Sequence, residues 1–318
     1  MAESNKPKIS IICVVGPTAS GKTALSIALA KKYSAEIVSC DSMQIYKDMD
    51  IGTAKPSAEE MDGVPHHLIG FLDCDKSFSV AQYVKLAAEA IADIRNRGKN
   101  VVLVGGTGLY FSSLIDNIVF TEQDSDPKLR AELEELAKEQ CGERLLEILR
   151  ELDPEIAEKL HPNNLGRIIR AIEVCKTTGT TMTEQQRIAR EQESDYDPLI
   201  IGLDFSDRQK LYDRINLRVD LMLENGLMSE NRRLLDSNLS KTAFQAIGFK
   251  EFLPYLNGSA TLDECAENLK MQTRRYAKRQ LTWFRRDGRI NWIYIDELDG
   301  FGQVFDCACD IIDQSEKF

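Results

Sequence analysis

The chain has 318 residues, 43% of them apolar and 29% charged, with a net charge of −11. At roughly 150 residues per domain, this is one large domain with an insertion or two domains, and the apolar fraction supports a packed core. The acidic balance excludes a generic nucleic-acid coat, though not a local basic patch. No apolar run approaches the ~18 residues of a membrane span. The polar stretch Met1–Lys8 leads straight into a strand-like segment and has no signal-peptide character, so a cytoplasmic location is expected.

Ile9–Gly16 is rich in β-branched residues and reads as a buried strand entering a glycine turn. Leu25, Ala28 and Leu29 give helical spacing over Thr23–Tyr33, and Ala35–Asp41 is a second strand. Ser79–Arg97 is a helix with Tyr83, Ala87, Ile91 and Ile94 on one side; Gly98 ends it, and Asn100–Gly105 is a third strand. Continuous apolar strands alternating with helices imply a parallel sheet covered on both faces.

From Thr121 to Asp197 strand signals disappear. Asp126-Pro127 and Asp153-Pro154 each open a helix, and His161–Lys176 reads as a third. Residues 121–197 are therefore expected to form a helical insertion in an α/β core made of 1–120 and 198–318. Leu199–Phe205 resumes the sheet, Arg208–Asn225 is a long helix ending at Gly226, Ala260–Arg286 is mostly helical, and Asn291–Asp296 is a last strand. The tail after Gln314 is expected to fray. The eight cysteines are scattered, with only Cys307 and Cys309 close and no C-x2-C pair. They read as reduced small hydrophobes, with neither disulfide nor structural zinc.

Gly16-Pro17-Thr18-Ala19-Ser20-Gly21-Lys22-Thr23 matches G-x4-G-K-[ST] between a strand and a helix. The glycines let successive N–H groups face inward, the helix N-terminus favours an anion, and Lys22 adds a charge. The Thr23 hydroxyl suits Mg2+ bridging two phosphates. The loop therefore holds a diphosphate or triphosphate, as in ATP-binding proteins, without saying what is done to it. A kinase needs an acid after another strand to hold Mg2+. The third strand ends Val104-Gly105-Gly106-Thr107-Gly108 with no acid, whereas the second ends in Asp41. Asp41 is either a carboxylate facing the phosphate loop or an ordinary turn aspartate, and spacing alone does not separate the two.

The segment Lys270–Arg289 contains eight basic residues and one acid, a charge of +7, leaving −18 on the rest of the chain. Such polarisation suits RNA contact. Interleaved Tyr276, Trp283 and Phe284 either stack on a base or bury in the core.

Together, GPTASGKT (16–23), DSMQIYKDMDIGTAKP (41–56), VPHHLIG (64–70), VGGTGLY (104–110), HPNN (161–164), AIGFKE (246–251) and KRQLTWFR (278–285) resemble the tRNA dimethylallyltransferase (tRNA isopentenyltransferase) family across nearly the whole chain. The resemblance implies a phosphate-loop α/β core with a helical insertion that clamps the tRNA anticodon arm, and use of Mg2+. It also implies transfer of a dimethylallyl group from dimethylallyl diphosphate to N6 of the adenosine 3′ of the anticodon, in tRNAs reading codons that begin with U, by a monomer.

On this resemblance Asp41 is the general base, Thr107 hydrogen-bonds near the reacting adenine, and Arg218, with Arg214 as runner-up, holds the diphosphate leaving group beside residues 16–23. The implied tRNA contacts are Asp41, Ser42, Met43, Gln44 and Thr107. On the insertion they are Arg130, Gly166, Arg167, Ile168, Ile169 and Arg170. The C-terminal part adds Gln245, Gly248 and Lys250, then Lys278, Arg279, Gln280, Trp283 and Arg285. An enzyme prenylating free AMP would share the loop and Asp41 but have no use for the insertion or KRQLTWFR. A small-metabolite kinase would lack a role for the basic segment, and a non-enzymatic RNA-binding protein would have no need of intact Lys22, Thr23 and Asp41.

Overall fold

The computed structural model describes residues 7–117, 126–191 and 193–318, the side chains of 139–141, 190 and 191 aside. They form two compact units, residues 195–318 with the N-terminal 115, and residues 116–194.

The first unit is built on a six-stranded, all-parallel sheet in the order β3-β2-β4-β1-β5-β6. β1 (Ile9–Val15) leads into α1 (Lys22–Lys32), and β2 (Ala35–Ser39) is followed by the short α2 (Ala58–Met61) and by β3 (His66–His67). α3 (Val80–Asn96) is opened by Ser79 and Gln82 bonding each other's backbone N–H groups, and it carries the chain to β4 (Asn100–Gly105) and α4 (Gly108–Ile115).

The second unit holds α5 (Pro127–Leu152), α6 (Pro154–Glu158), α7 (Leu165–Thr178) and α8 (Met182–Glu191). Asp126 and Asp153 cap α5 and α6 as the Asp-Pro pairs foretold. Leu145, Leu149, Ile168 and Ile172 lie at its core. Asp153 accepts the Thr183 N–H at 2.9 Å and its hydroxyl at 2.6 Å, tying α8 to the α5–α6 corner. The third helix begins at Leu165 rather than His161. Residues 161–164 form a turn, in which Asn164 N–H donates to the His161 carbonyl at 2.8 Å.

β5 (Tyr196–Asp204) returns to the first unit and starts earlier than the expected Leu199. Pro198 is tolerated because β6 pairs only with Ile201–Asp204, leaving the other side of the Pro198 backbone without a neighbouring strand. The division between the units thus falls at 116 and 194, and residue 121 lies outside the described residues. After β5 come α9 (Arg208–Glu224), α10 (Leu227–Leu235), α11 (Leu253–Leu256), α12 (Leu262–Phe284), β6 (Asn291–Tyr294) and α13 (Gly300–Gln314). α13 escaped the sequence reading, although Val304, Ala308 and Ile312 recur at helical spacing; they pack on α1 and the sheet face carrying Ile12, Val14 and Ile37. The tail is also tied down, because Lys317 pairs with Asp197 at 2.7 Å and Phe318 packs on the same apolar cluster. On the opposite face, α3 and α4 cover Ile11, Cys13, Val38 and Leu103.

Candidate active site

The phosphate loop follows β1, and its shape comes from three residues with positive φ: Gly16 at 143°, Ala19 at 64° and Gly21 at 85°. A Cβ on Gly16 would lie 2.4 Å from the Leu203 carbonyl oxygen, so only glycine lets the loop pass β5. Gly21 caps α1 without a side chain, leaving the helix N-terminus open to an anion. The buried Ser20 hydroxyl has no protein partner, and the Lys22 ammonium donates to the Pro17 carbonyl at 2.6 Å. α9 delivers two arginines: Arg218 Nη1 lies 3.4 Å from Thr18 Oγ1, and Arg214 Nε donates to the Ala19 carbonyl at 2.9 Å.

Two cavities meet at this loop. The inner one, about 360 Å³, has Thr18, Asp41, Ser42, Tyr276 and Gln280 in its wall. The outer one, about 1030 Å³, is bounded by Ala19, Ser20, Gly21, Arg214 and the exposed Leu217 and Leu221. Lys22, Thr23 and Arg218 belong to both walls, whereas Arg214 faces the outer cavity alone. Burial and the neighbouring Arg218 charge push Lys22 down to about 7, with Asp41 opposing. Burial likewise lowers Arg218, again opposed by Asp41. The junction is a crowded cationic point with one carboxylate nearby.

Asp41 satisfies both readings of its position. Oδ1 accepts the N–H groups of Met43 at 2.8 Å and Gln44 at 3.2 Å, a turn aspartate's role, while the side chain also lines the inner cavity. Thr107 is one layer further back than expected. It is absent from the cavity wall, and its Oγ1 accepts the Ser42 N–H at 3.0 Å. It reaches the cavity through Ser42; burial, and then the Asp41 charge, raise the pKa of the neighbouring Tyr276.

The glycines of VGGTG are spacing devices. A Cβ on Gly105 would lie 2.0 Å from the Cys40 carbonyl oxygen, one on Gly106 2.1 Å from Gln280 Nε2, and one on Gly108 2.3 Å from Trp283 Cδ1. Gly106 and Gly108 let α12 dock, and Gln280, buried at 5% exposure, then accepts the Thr18 N–H at 2.9 Å and donates to the Gly106 carbonyl at 3.0 Å. Gln280 is thus a brace of the phosphate loop as well as a cavity residue.

The expected tRNA contacts divide. Ser42, Met43, Gln44, Gln245, Lys250 and Arg279 join Asp41 around the inner cavity. Lys278 and Arg279 are exposed on α12, together with Arg275. In the second unit Gly166 and Arg167 are exposed, while Arg130 and Arg170 share the buried Glu173 at 3.4 and 3.7 Å.

Other expected contacts require correction. Ile168 and Ile169 point into the core of the second unit because the helical period turns them inward. Gly248 is buried, its N–H bonded to Glu251 and its carbonyl to Asn231. Phe284 is core, whereas Trp283 donates to Ser112 Oγ at 3.1 Å, packs over Gly108 and stays partly exposed. Arg285 pairs with the buried Asp204 at 2.6 Å while its own side chain stays exposed, so its expected contact is not contradicted. Thr273 was absent from the expected contacts; with Tyr276, expected either to stack on a base or to bury, and Gln280, it forms an inward polar stripe at i, i+3 and i+7.

Among the described residues no cluster of three or more His, Cys, Asp or Glu could cage a metal. The residues present fit a Mg2+ held by the Thr23 hydroxyl and phosphate oxygens, the usual arrangement for an ion that travels with its substrate.

The fold and this junction define a phosphate-loop α/β protein whose loop lies between a larger cavity and a second, smaller one. The family model for IPP transferase matches residues 44–287. A tRNA dimethylallyltransferase of Bacillus licheniformis is 50% identical over 91% of each chain. The full-length tRNA isopentenylpyrophosphate transferase structure from Bacillus halodurans is 43% identical, covering 98% of both chains with a TM-score of 0.73. A eukaryotic dimethylallyltransferase captured acting on tRNA is 32% identical, with a TM-score of 0.77 over 90% of this chain and 74% of its own. The chain belongs to the IPP transferase family.

Proposed function

We propose that this enzyme transfers a dimethylallyl group from dimethylallyl diphosphate to N6 of the adenosine 3′-adjacent to the anticodon, in tRNAs reading codons that begin with U, and that it acts in the cytoplasm as a monomer. The observation that carries this reading is the junction of Lys22, Thr23 and Arg218 between two cavities, with Asp41 in the wall of the inner one only. Adenine enters the inner cavity and the prenyl chain lies along Leu217 and Leu221 in the outer one, so their reacting atoms meet beside the loop.

The C1–O bond to the diphosphate breaks as the N6–C1 bond forms. Diphosphate leaves on the loop N–H groups, Lys22 and Arg218, which meet the negative charge developing on the departing oxygen. The N6 proton passes to Asp41, which the Met43 and Gln44 N–H groups hold in orientation. Mg2+ on Thr23 would supply further charge neutralisation. The target base must leave its stack to reach the cavity. We assign the anticodon-arm contacts to Arg130, Gly166, Arg167 and Arg170 and to the exposed face of α12. Incubation with labelled dimethylallyl diphosphate and unmodified tRNA should label that adenosine, whereas labelling of AMP alone, or of nothing, would overturn the reading.

A further inference from the structure

Neither Glu230 nor Asn231, neighbours on α10, lines either cavity, yet both are buried, at 2% and 1% exposure. The Glu230 carboxylate accepts three consecutive backbone N–H groups: Oε2 takes those of Asp50 at 2.8 Å and Ile51 at 2.7 Å, and Oε1 that of Gly52 at 2.9 Å. Asn231 Nδ2 donates to the Gly248 carbonyl at 2.8 Å. The two loops so held also touch, since a Cβ on Gly248 would stand 3.4 Å from Gly52 Cα. Both loops supply the inner cavity, one through Gly52 and Thr53, the other through Gln245, Ile247 and Lys250. Gln44, itself in that wall, fastens the far side of the first loop by donating to the Thr53 and Ala54 carbonyls at 3.2 and 3.1 Å.

We infer that Glu230 and Asn231 are positioning residues that clamp these two loops together and so set the width of the inner cavity where the substrate base is received. Three successive N–H groups curled around a carboxylate form the kind of nest that elsewhere captures a phosphate. Glu230 fills that nest from within the protein, and its hydrogen bonds are charge-assisted. This reserves phosphate capture for residues 16–23, which are braced independently by Gln280 and Arg214. The first loop also lines the outer cavity through Asp50, Ile51 and Ala54, whereas the loop held by Asn231 lines the inner cavity alone, so it is the Asn231 side of the clamp that acts on the base without touching the diphosphate side.

This inference rests on the proposed transfer to tRNA. Glu230→Gln keeps the volume but sets an NH2 group against at least one backbone N–H, and Asn231→Ala releases the other loop. At a temperature well below unfolding, each variant should lose about tenfold in kcat/KM for tRNA, and Asn231→Ala should leave KM for dimethylallyl diphosphate changed by less than about threefold. Because the two residues hold one contact, the double variant should lose less than the product of the single losses. Lowered Tm with unchanged tRNA kinetics in both variants would reduce the pair to structural support and overturn the inference. Should Glu230→Gln not fold, the milder Asn231→Ala decides alone. The wild-type enzyme, run alongside, separates failure of the clamp from failure of the function, since loss of labelling there touches only the latter.

Discussion

The Lys22 ammonium donates to the Pro17 carbonyl at 2.6 Å, five residues back in its own loop, so the principal cation of the anion site is folded against the turn that carries it. Burial and Arg218 hold this lysine at about 7 instead of 10.5.

A bound diphosphate favours the charged form, so binding above pH 7 should draw in a proton. Affinity for dimethylallyl diphosphate should therefore fall with rising pH, approaching tenfold per unit. Calorimetry at pH 8 in two buffers of different ionisation enthalpy should give different apparent binding enthalpies; equal values would mean no proton is taken up. The stability sign follows from the same shift. Between pH 7 and 10.5 the unfolded chain holds more protons on Lys22, so stability rises with pH across that window, and the penalty is complete below it. Lys22→Met should raise Tm at pH 7 while slowing transfer by about a hundredfold.

Asp41→Asn preserves shape and the turn but removes basicity. Transfer should slow by roughly 10²–10⁴-fold with little change in binding of either substrate. A metal-binding role for Asp41 would instead let raised Mg2+ restore the variant. Single-turnover assays on preformed tRNA complex across a Mg2+ series distinguish the two, and full rescue would remove the general-base assignment.

The arginines of α12 and of its C-cap should not behave alike. Arg275→Ala with Arg279→Ala, both exposed, should weaken tRNA binding and reduce the slope of log affinity against log salt by up to about 2. Arg285→Ala should mainly lower stability, by about 1–3 kcal/mol, because Asp204 at 0% exposure loses its shorter ion pair and the Oδ2 partner, keeping Arg208 at 3.3 Å and the Phe205 N–H at 2.8 Å on Oδ1. Filter binding over a salt series, with thermal melts in parallel, measures both; an unchanged slope in the first variant would mean those side chains face away from RNA.

Gly105→Ala should cost more than Gly106→Ala. The added methyl at 105 meets a backbone carbonyl at 2.0 Å, whereas at 106 it meets the movable end of Gln280 at 2.1 Å. Overpacking of this kind costs about 1–3 kcal/mol. Denaturant melts of the two variants should show that order, and the reverse order would mean that the Gln280 brace is the less yielding contact.

The core of the molecule was legible because its rules are local. Glycine spacing fixed the phosphate loop, Asp-Pro pairs fixed two helix starts, and apolar runs fixed every strand but β3, whose two histidines carry no such run. What escaped depends on contacts between distant segments. Nothing near Glu230 in the sequence reveals that its carboxylate serves a loop 180 residues earlier. The charge density of α12 drew attention outward, while its inward polar stripe of Thr273, Tyr276 and Gln280 sits among Leu269, Ala277, Leu281 and Phe284 and reads as incidental until the helix is docked. Ile168 and Ile169 show the opposite error: a motif carried over whole swept in two residues that helical periodicity alone would have assigned to the core.

Thr18 and Gln280 are separated by 262 residues, and that separation has a consequence in time. At roughly 5–20 residues per second, about 10–50 s pass on the ribosome between emergence of the phosphate loop and of the glutamine that braces it. Through that interval the Thr18 N–H and the Gly106 carbonyl have no Gln280 to join them. The earliest part of the site to be synthesised is thus completed only when most of the chain exists, and a nascent chain halted before residue 280 carries the motif without its brace.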